Sequence, residues 1–211
     1  MDGLRSSPAA VLVFVRAPVA GRVKTRLAAE IGDAAALRVY RRLAEHAVSA
    51  ALAVAPPAAV RVHYTPTDAG PAVRAWLGDG PEYLPQAEGE LGARLHQAFA
   101  EGFAAGFGRI VVVGSDLPEL TAERIGRALA VLETEPAVLG PARDGGYWLL
   151  GLREMAAGAF DGMPWSTGRL LDATLARLRA SGVEPALLET LADVDTADDL
   201  PAGWREWAVA G

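Results

Sequence analysis

Residues 109–114 read RIVVVG, and four consecutive apolar, β-branched residues inside that run give a strand with no polar face. Such a strand needs cover on both sides, which is the condition of a parallel strand inside an α/β sheet rather than of a half-wet antiparallel one. The run stops at Gly114, Ser115 and Asp116, and Thr121 is then placed to cap a helix running to about residue 132. Similar units flank it. The apolar run 9–15 predicts a first strand, and the Ala/Leu/Arg stretch 33–54 a long amphipathic helix. A second strand is expected at 59–64, a short helical piece around Trp76 and Leu77, a brief strand at 82–85 and a helix from Leu91. Further strands are expected at 136–139, 146–151 and 183–188, with a helix at 167–181. Trp204 and Trp207 read as packing of a terminal helix. Strands alternating with helices predict a mostly parallel sheet covered on both faces, with ligands gathering where loops leave the carboxyl ends of the strands.

The chain has 211 residues, 51% of them hydrophobic, enough to bury one substantial core. Pro56-Pro57, the Pro and Gly between 66 and 81, and Pro136 punctuate the chain without dividing it, so residues 1–211 are expected to form one domain. A formal net charge of −6 argues against a general nucleic-acid binder. No cysteine is present, which removes disulfides, thiolate nucleophiles and Cys-based metal sites and is compatible with a reducing cytoplasm, the expected location. The apolar run AAVLVFV is too short to span a membrane. The three histidines, His46, His63 and His96, lie on separate elements without metal-ligand spacing, and no GxSxG supports acyl transfer.

The positive charge of this acidic chain is distributed unusually. Among 20 basic residues Lys24 is the single lysine, and Arg16, Arg22, Lys24 and Arg26 fall within eleven residues after the first strand. A compact ammonium reaches a crowded phosphate where the planar guanidinium fork does not, so Lys24 is read as a phosphate contact. Neither GxGxxG nor GxxxxGK[ST] follows the first strand; APVAGRVKTRL is a different phosphate loop. In it Gly21 permits close backbone approach, and Lys24 and Arg26 bring charge near the start of a short helix.

Asp116 directly follows a strand and is expected to project a carboxylate into the same crevice. Asp193 and Asp195, two apart in DVDTADDL, share a face of an extended backbone. Mg²⁺ or Mn²⁺ takes hard oxygen ligands, often one to three carboxylates with phosphate and water, so Asp116, Asp193 and Asp195 form the candidate metal set. Helix capping is the competing account of DVDTADDL; Thr196 and the later aspartates are assigned to it, and Asp195 and Asp193 to metal. In PARDGGYWLLGL, Asp144 is a candidate acceptor contact and Gly145 and Gly146 permit close approach, whereas Tyr147 and Trp148 fit either an acceptor pocket or the core.

Together APVAGRVKTRL, GELGAR, VVGSDLPEL, GPARDGGYWLLGL, PWST and DVDTADDL resemble a bacterial family of uncharacterised glycosyltransferase-like proteins (DUF2064) over about residues 10–200. The resemblance implies the GT-A nucleotide-diphospho-sugar transferase fold, a three-layer α/β/α sandwich with a mostly parallel mixed sheet. Motif order is also similar to the guanylyltransferases that activate phospholactate or phosphoenolpyruvate. The resemblance implies that Lys24 contacts the nucleotide phosphates, that Asp116 ligates metal with Asp193 and Asp195 as the late acidic pair, and that Ser166 joins the metal or phosphate shell. With the readings above, the expected sites are Lys24 and Asp116 for catalysis, Arg16, Gly21, Lys24, Arg26, Gly92, Asp144, Gly145, Gly146 and Ser166 for substrate, and Asp116, Asp193 and Asp195 for Mg²⁺ or Mn²⁺. One departure is that SDLP carries a single carboxylate where that superfamily has DxD, so the metal site is expected to draw on the distant pair. The partners implied are a nucleotide or nucleotide-sugar donor and a small-molecule acceptor. Glycosyl transfer is the first expectation, nucleotidyl transfer with release of pyrophosphate the second, and a non-catalytic nucleotide-binding module the third.

Overall fold

A computed structural model describes residues 8–55, 57–156 and 158–210; Pro56 of the Pro56-Pro57 punctuation lies outside them. The strands are β1 (Ala9–Arg16), β2 (Ala59–Thr65), β3 (Glu82–Pro85), β4 (Arg109–Val113), β5 (Ala137–Pro141), β6 (Tyr147–Leu152) and β7 (Ala186–Leu187). They form one sheet in the order β3-β2-β1-β4-β6-β5-β7. β1, β2, β3 and β4 run parallel, β5 and β7 pair parallel, and β6 is antiparallel to both β4 and β5. The reversal at β6 has a local cause. Only the short link ARDGG joins β5 to β6, far less chain than a parallel crossover needs, so the two close as a hairpin.

The helices are α1 (Thr25–Ile31), α2 (Asp33–Leu52), α3 (Gly70–Leu77), α4 (Leu91–Ala104), α5 (Ala122–Val131), α6 (Leu170–Ala180) and α7 (Trp204–Ala210). Every residue of β4 is buried, as its unbroken apolar run requires. Side chains of β1 divide by parity between the two faces. Val11, Val13 and Val15 pack with residues of α2, α3 and α5, while Ala10 and Leu12 pack with α4 and α6. The result is the expected three-layer α/β/α sandwich. A third cluster joins α1, α2, α7 and the segment at Val194, binding the phosphate loop's helix to the end of the chain. In it Arg42 stacks over Trp204 and Trp207, with its guanidinium 4.2 and 4.7 Å from the ring centres.

Several element ends shift from the sequence expectation, two of them for a visible local reason. The helix expected from 167 begins at Leu170, because the Thr167 hydroxyl donates to the Pro164 carbonyl (2.7 Å) and closes a turn first. The strand expected at 183–188 contracts to the two residues of β7; beyond it Leu188 still donates to Leu139 O (2.9 Å) and Leu191 to Pro141 O (3.1 Å), tying the chain to the sheet edge.

Candidate active site

β1 and β4 are parallel neighbours, so the loops leaving their carboxyl ends emerge side by side. After β1 the loop is folded by the Arg16 guanidinium, which donates to Arg22 O (3.2 Å), and is anchored by Tyr40 of α2. The Tyr40 hydroxyl donates to Arg16 O (2.8 Å) and accepts from Arg16 N (2.7 Å). Burial is the main cause that pushes this phenol up to about 12, so it stays neutral. After β4 the chain turns through Gly114 and Ser115 into Asp116. The Asp116 carbonyl accepts from Val194 N (3.0 Å), which brings the DVD segment alongside.

These connections deliver three sequence-distant side chains to one point. Lys24 Nζ lies 2.9 Å from Asp116 Oδ2 and 3.4 Å from Asp195 Oδ1, and Arg26 Nη1 lies 3.2 Å from Asp195 Oδ2. The lysine side chain is only 5% exposed, whereas both carboxylates remain partly open to solvent. Lys24 also has left-handed backbone, φ 47° and ψ 48°, at the start of α1. Among the described residues the only other non-glycine with positive φ is Ser166, at 59°. Conformations of this kind cost of order 1–3 kcal/mol each and persist where the surroundings impose them. Both residues line one cavity of about 590 Å³ at the carboxyl ends of β1, β2 and β4.

The wall of that cavity contains Arg16, Lys24, Arg26, Asp116, Ser166 and Asp195 of the residues expected from sequence. Gly21, Gly92, Asp144, Gly145, Gly146 and Asp193 are not on it. Gly145, with φ 86°, serves chain packing: an added Cβ would stand 2.2 Å from Gly168 O, and Gly145 O accepts from Leu171 N (2.9 Å). Gly92 lets α4 approach the 160–165 segment, since a Cβ there would meet Phe160 O at 2.7 Å and Trp165 Nε1 at 2.8 Å. Asp144 is turned onto its own loop, with Oδ1 accepting from Gly146 N (2.8 Å). Trp148 is buried and donates to Glu189 O (3.1 Å), and burial raises the Tyr147 phenol, so both aromatics belong to the core.

The acidic positions form a patch beside Lys24. Asp193 is half-buried; burial raises its carboxyl, Asp144 and Asp195 add to the rise, and Lys24 opposes it. Among the described residues no group of three or more His, Cys, Asp or Glu converges tightly enough to hold a metal. The expected set Asp116, Asp193 and Asp195 is therefore not a preformed chelate, because the Lys24 ammonium stands between Asp116 and Asp195. One observation does fit a cation: Asp116 Oδ1 is buried and has no hydrogen-bond partner, leaving a hard anionic oxygen unsatisfied beside the cavity. Capping in DVDTADDL falls as assigned, with Thr196 N and Oγ1 both donating to Asp199 Oδ2 at 2.7 Å.

Among the wall residues that escaped sequence reasoning, two interlock. Gln86 is buried, its Nε2 donating to His63 O (2.8 Å) and Val15 O (3.1 Å), and its Oε1 accepts from Arg94 Nη1 (3.1 Å). A polar residue directly after the brief strand was the available signal for Gln86. Arg94 sits inside GELGAR but looks like one more arginine. Of the histidines, His46 meets Leu120 O (2.6 Å), and His63 is buried against Phe14 with ring centres 5.4 Å apart.

This sheet order, with one antiparallel strand and a basic loop and a carboxylate at adjacent strand ends, defines an α/β protein of the nucleotide-diphospho-sugar transferase fold. A solved "putative nucleotide-diphospho-sugar transferase" from Desulfovibrio desulfuricans G20 superposes with a TM-score of 0.86 at 30% identity, covering 97% of this chain and 93% of that one. Residues 48–167 match the family described as "Uncharacterized protein conserved in bacteria (DUF2064)", and the chain belongs to that family. A phosphoenolpyruvate guanylyltransferase from Chloroflexus aggregans (strain MD-66 / DSM 9485) is 33% identical over 119 residues, 56% of this chain. That match spans 59% of the relative's length, less than two thirds of it. CMP:2-keto-3-deoxy-manno-octonic acid synthetase complexed with CTP shares the fold at a TM-score of 0.63 and 15% identity, covering 97% of this chain and all (100%) of that one. The D. desulfuricans and C. aggregans relatives are named as transferases. No helix of the described residues is long and apolar enough to cross a membrane.

Proposed function

We propose that this chain acts as one nucleotide-binding domain that transfers a nucleotidyl group from a nucleoside triphosphate to a small anionic acceptor with the help of Mg²⁺ or Mn²⁺. The observation that carries the proposal is the buried ammonium of Lys24, held at 2.9 Å from Asp116 and 3.4 Å from Asp195 on the wall of a cavity large enough for a nucleotide. A fixed positive charge in that position stabilises negative charge that builds on a polyphosphate, and it needs no reorganisation as the reaction proceeds. Arg26 and Arg22, on the same wall, add charge for the leaving group.

In the step proposed, an acceptor oxygen attacks the α-phosphorus, a new P–O bond forms, and the bond to the bridging α–β oxygen breaks. Pyrophosphate leaves with that electron pair. Asp116, through its unpartnered Oδ1, and Asp195 or Asp193 would hold the cation together with phosphate oxygens. When bound, such a cation supplies Lewis-acid neutralisation of the phosphoryl oxygens. Two observations put nucleotidyl transfer ahead of glycosyl transfer, reversing the order expected from sequence. The β4 end carries one carboxylate rather than two, and a relative at 33% identity is named a guanylyltransferase. Glycosyl transfer remains the second reading because the D. desulfuricans relative is named for a nucleotide-diphospho-sugar.

Product identity separates the readings. The protein is incubated with Mg²⁺, each nucleoside triphosphate in turn and phosphoenolpyruvate or a related phosphorylated acid, and in parallel with nucleotide-sugars. Pyrophosphate release that requires the acceptor is the expected result. Release of nucleoside diphosphate from a nucleotide-sugar, without pyrophosphate from any triphosphate, overturns it in favour of glycosyl transfer. Binding without turnover on either panel would leave the non-catalytic module.

A further inference from the structure

The cavity has a second polar feature, built on the β2–β3 side and separate from the Lys24 cluster. Gln86 follows β3, is 7% exposed, and spans the ends of three strands: its backbone N–H donates to Tyr64 O, and its side-chain Nε2 bridges the carbonyls of Val15 and His63. Two carbonyls facing the same amide nitrogen fix the amide's orientation, since a flip would set Oε1 against both of them. Oε1 is therefore committed to face Arg94, whose Nη1 donates to it at 3.1 Å. Arg94 Nε is held in turn by Gly89 O at 2.9 Å. Two of the three guanidinium nitrogens are thus fastened to the protein and its plane is set. The second Nη1 hydrogen and both Nη2 hydrogens remain for a ligand, and Arg94 lines the same cavity as Lys24.

A donor-only fork held in a fixed plane selects for two adjacent planar acceptors and rejects an amino group in either position. Such an edge occurs as O6 and N7 of guanine or as a carboxylate; adenine and cytosine instead present an amino donor beside one acceptor. We propose that Arg94, positioned by Gln86, is a specificity-determining subsite for an edge of two planar acceptors, belonging either to a guanine base on the donor or to the carboxylate of the acceptor. The inference rests on the nucleotidyl-transfer reading for the presence of a nucleotide in this cavity.

Calorimetric binding of GTP, ATP and phosphoenolpyruvate, each alone with Mg²⁺, to the wild-type chain, Arg94→Ala and Arg94→Lys tests it, with circular dichroism to confirm folding. The lysine variant keeps a cation for Gln86 Oε1 but loses the fork. Loss of about 5- to 150-fold in GTP affinity in both variants, with ATP affinity within about twofold, assigns the edge to the base. The same loss confined to phosphoenolpyruvate assigns it to the carboxylate. Unchanged affinity for all three ligands, an equal loss for all three, or full retention by Arg94→Lys overturns the subsite. Failure of the wild-type chain to bind any nucleoside triphosphate removes the nucleotidyl reading as well, whereas ATP binding that is indifferent to Arg94 alongside unchanged GTP and phosphoenolpyruvate removes only the subsite.

Discussion

Replacing Lys24 by methionine and by arginine tests the central contact in two independent ways. Methionine removes the charge at nearly constant volume. The lost contacts are one short ion pair to Asp116 and one longer contact to Asp195, of a type that contributes about 1.5–3 kcal/mol when well shielded. Both carboxylates are more than a third exposed (40% and 38%), and Arg26 still faces Asp195, so screening reduces the net stability cost to about 1–2 kcal/mol. For a domain of this size that corresponds to a fall of roughly 2–8 °C in melting temperature. Turnover should suffer more, because loss of one preorganised charge at the reacting phosphates typically costs about 10²–10³ in kcat. Arginine restores the charge but not the shape: the slot leaves the lysine side chain 5% exposed, and a planar fork has no room to place one nitrogen against both carboxylates. Differential scanning calorimetry paired with a pyrophosphate-release assay measures the two effects. Lys24→Arg is expected to melt within a few degrees of the wild type yet lose most of its turnover. Full turnover in Lys24→Arg refutes the ammonium-geometry reasoning, and a loss of activity in Lys24→Met that merely tracks unfolding would reduce Lys24 to a structural cation.

Three further outcomes follow from the geometry. Asp116→Asn turns its amide oxygen to the Lys24 ammonium and leaves a neutral NH2 in place of the unpartnered anionic oxygen, so metal-dependent nucleotide affinity should fall at least about tenfold while the fold persists; unchanged affinity by calorimetry removes Asp116 from the site. Burial lowers the His63 imidazole from its ordinary 6.5 to about 4, with Arg61 contributing in the same direction and Glu101 opposing. The unfolded chain therefore takes up the proton first, and stability should fall as pH drops from about 6.5 to 4, by about 3 kcal/mol in all. Urea denaturation at pH 7 and pH 4.5 should show this slope in the wild type and a flatter one in His63→Leu; equal slopes contradict it. Gly145→Ala places a Cβ 2.2 Å from Gly168 O at φ 86°, and the melting temperature should drop by an amount equivalent to more than about 1 kcal/mol, with an unshifted melt counting against the close-packing account of that glycine.

Elements with strong local patterns were legible in the chain. β4 could be read because four consecutive β-branched residues leave no polar face, and α5 because Thr121 caps it, its Oγ1 accepting from Arg124 N at 3.2 Å. Lys24, Arg26, Asp116 and Asp195 could be read because they sit where strands end and charge is locally concentrated. Gly145 was read as a substrate contact because glycine in a loop signals close approach without saying to what, and Gly92, in a helix, because it lies in the GELGAR motif. The structure shows that the approaching partners are Gly168 and the 160–165 segment.

What the sequence determined by itself was everything set by nearest neighbours along the chain: which runs are strands, where helices are capped, and that one ammonium stands in an arginine-rich, acidic protein. The meeting of Lys24 with a carboxylate 171 positions away, the insertion of that ammonium between two aspartates that were expected to share a metal, and the locking of Arg94 by Gln86 were decided only by tertiary structure. Those contacts depend on sheet order and on how far each strand end projects, which are properties of packing between distant segments and leave no periodic trace in local sequence.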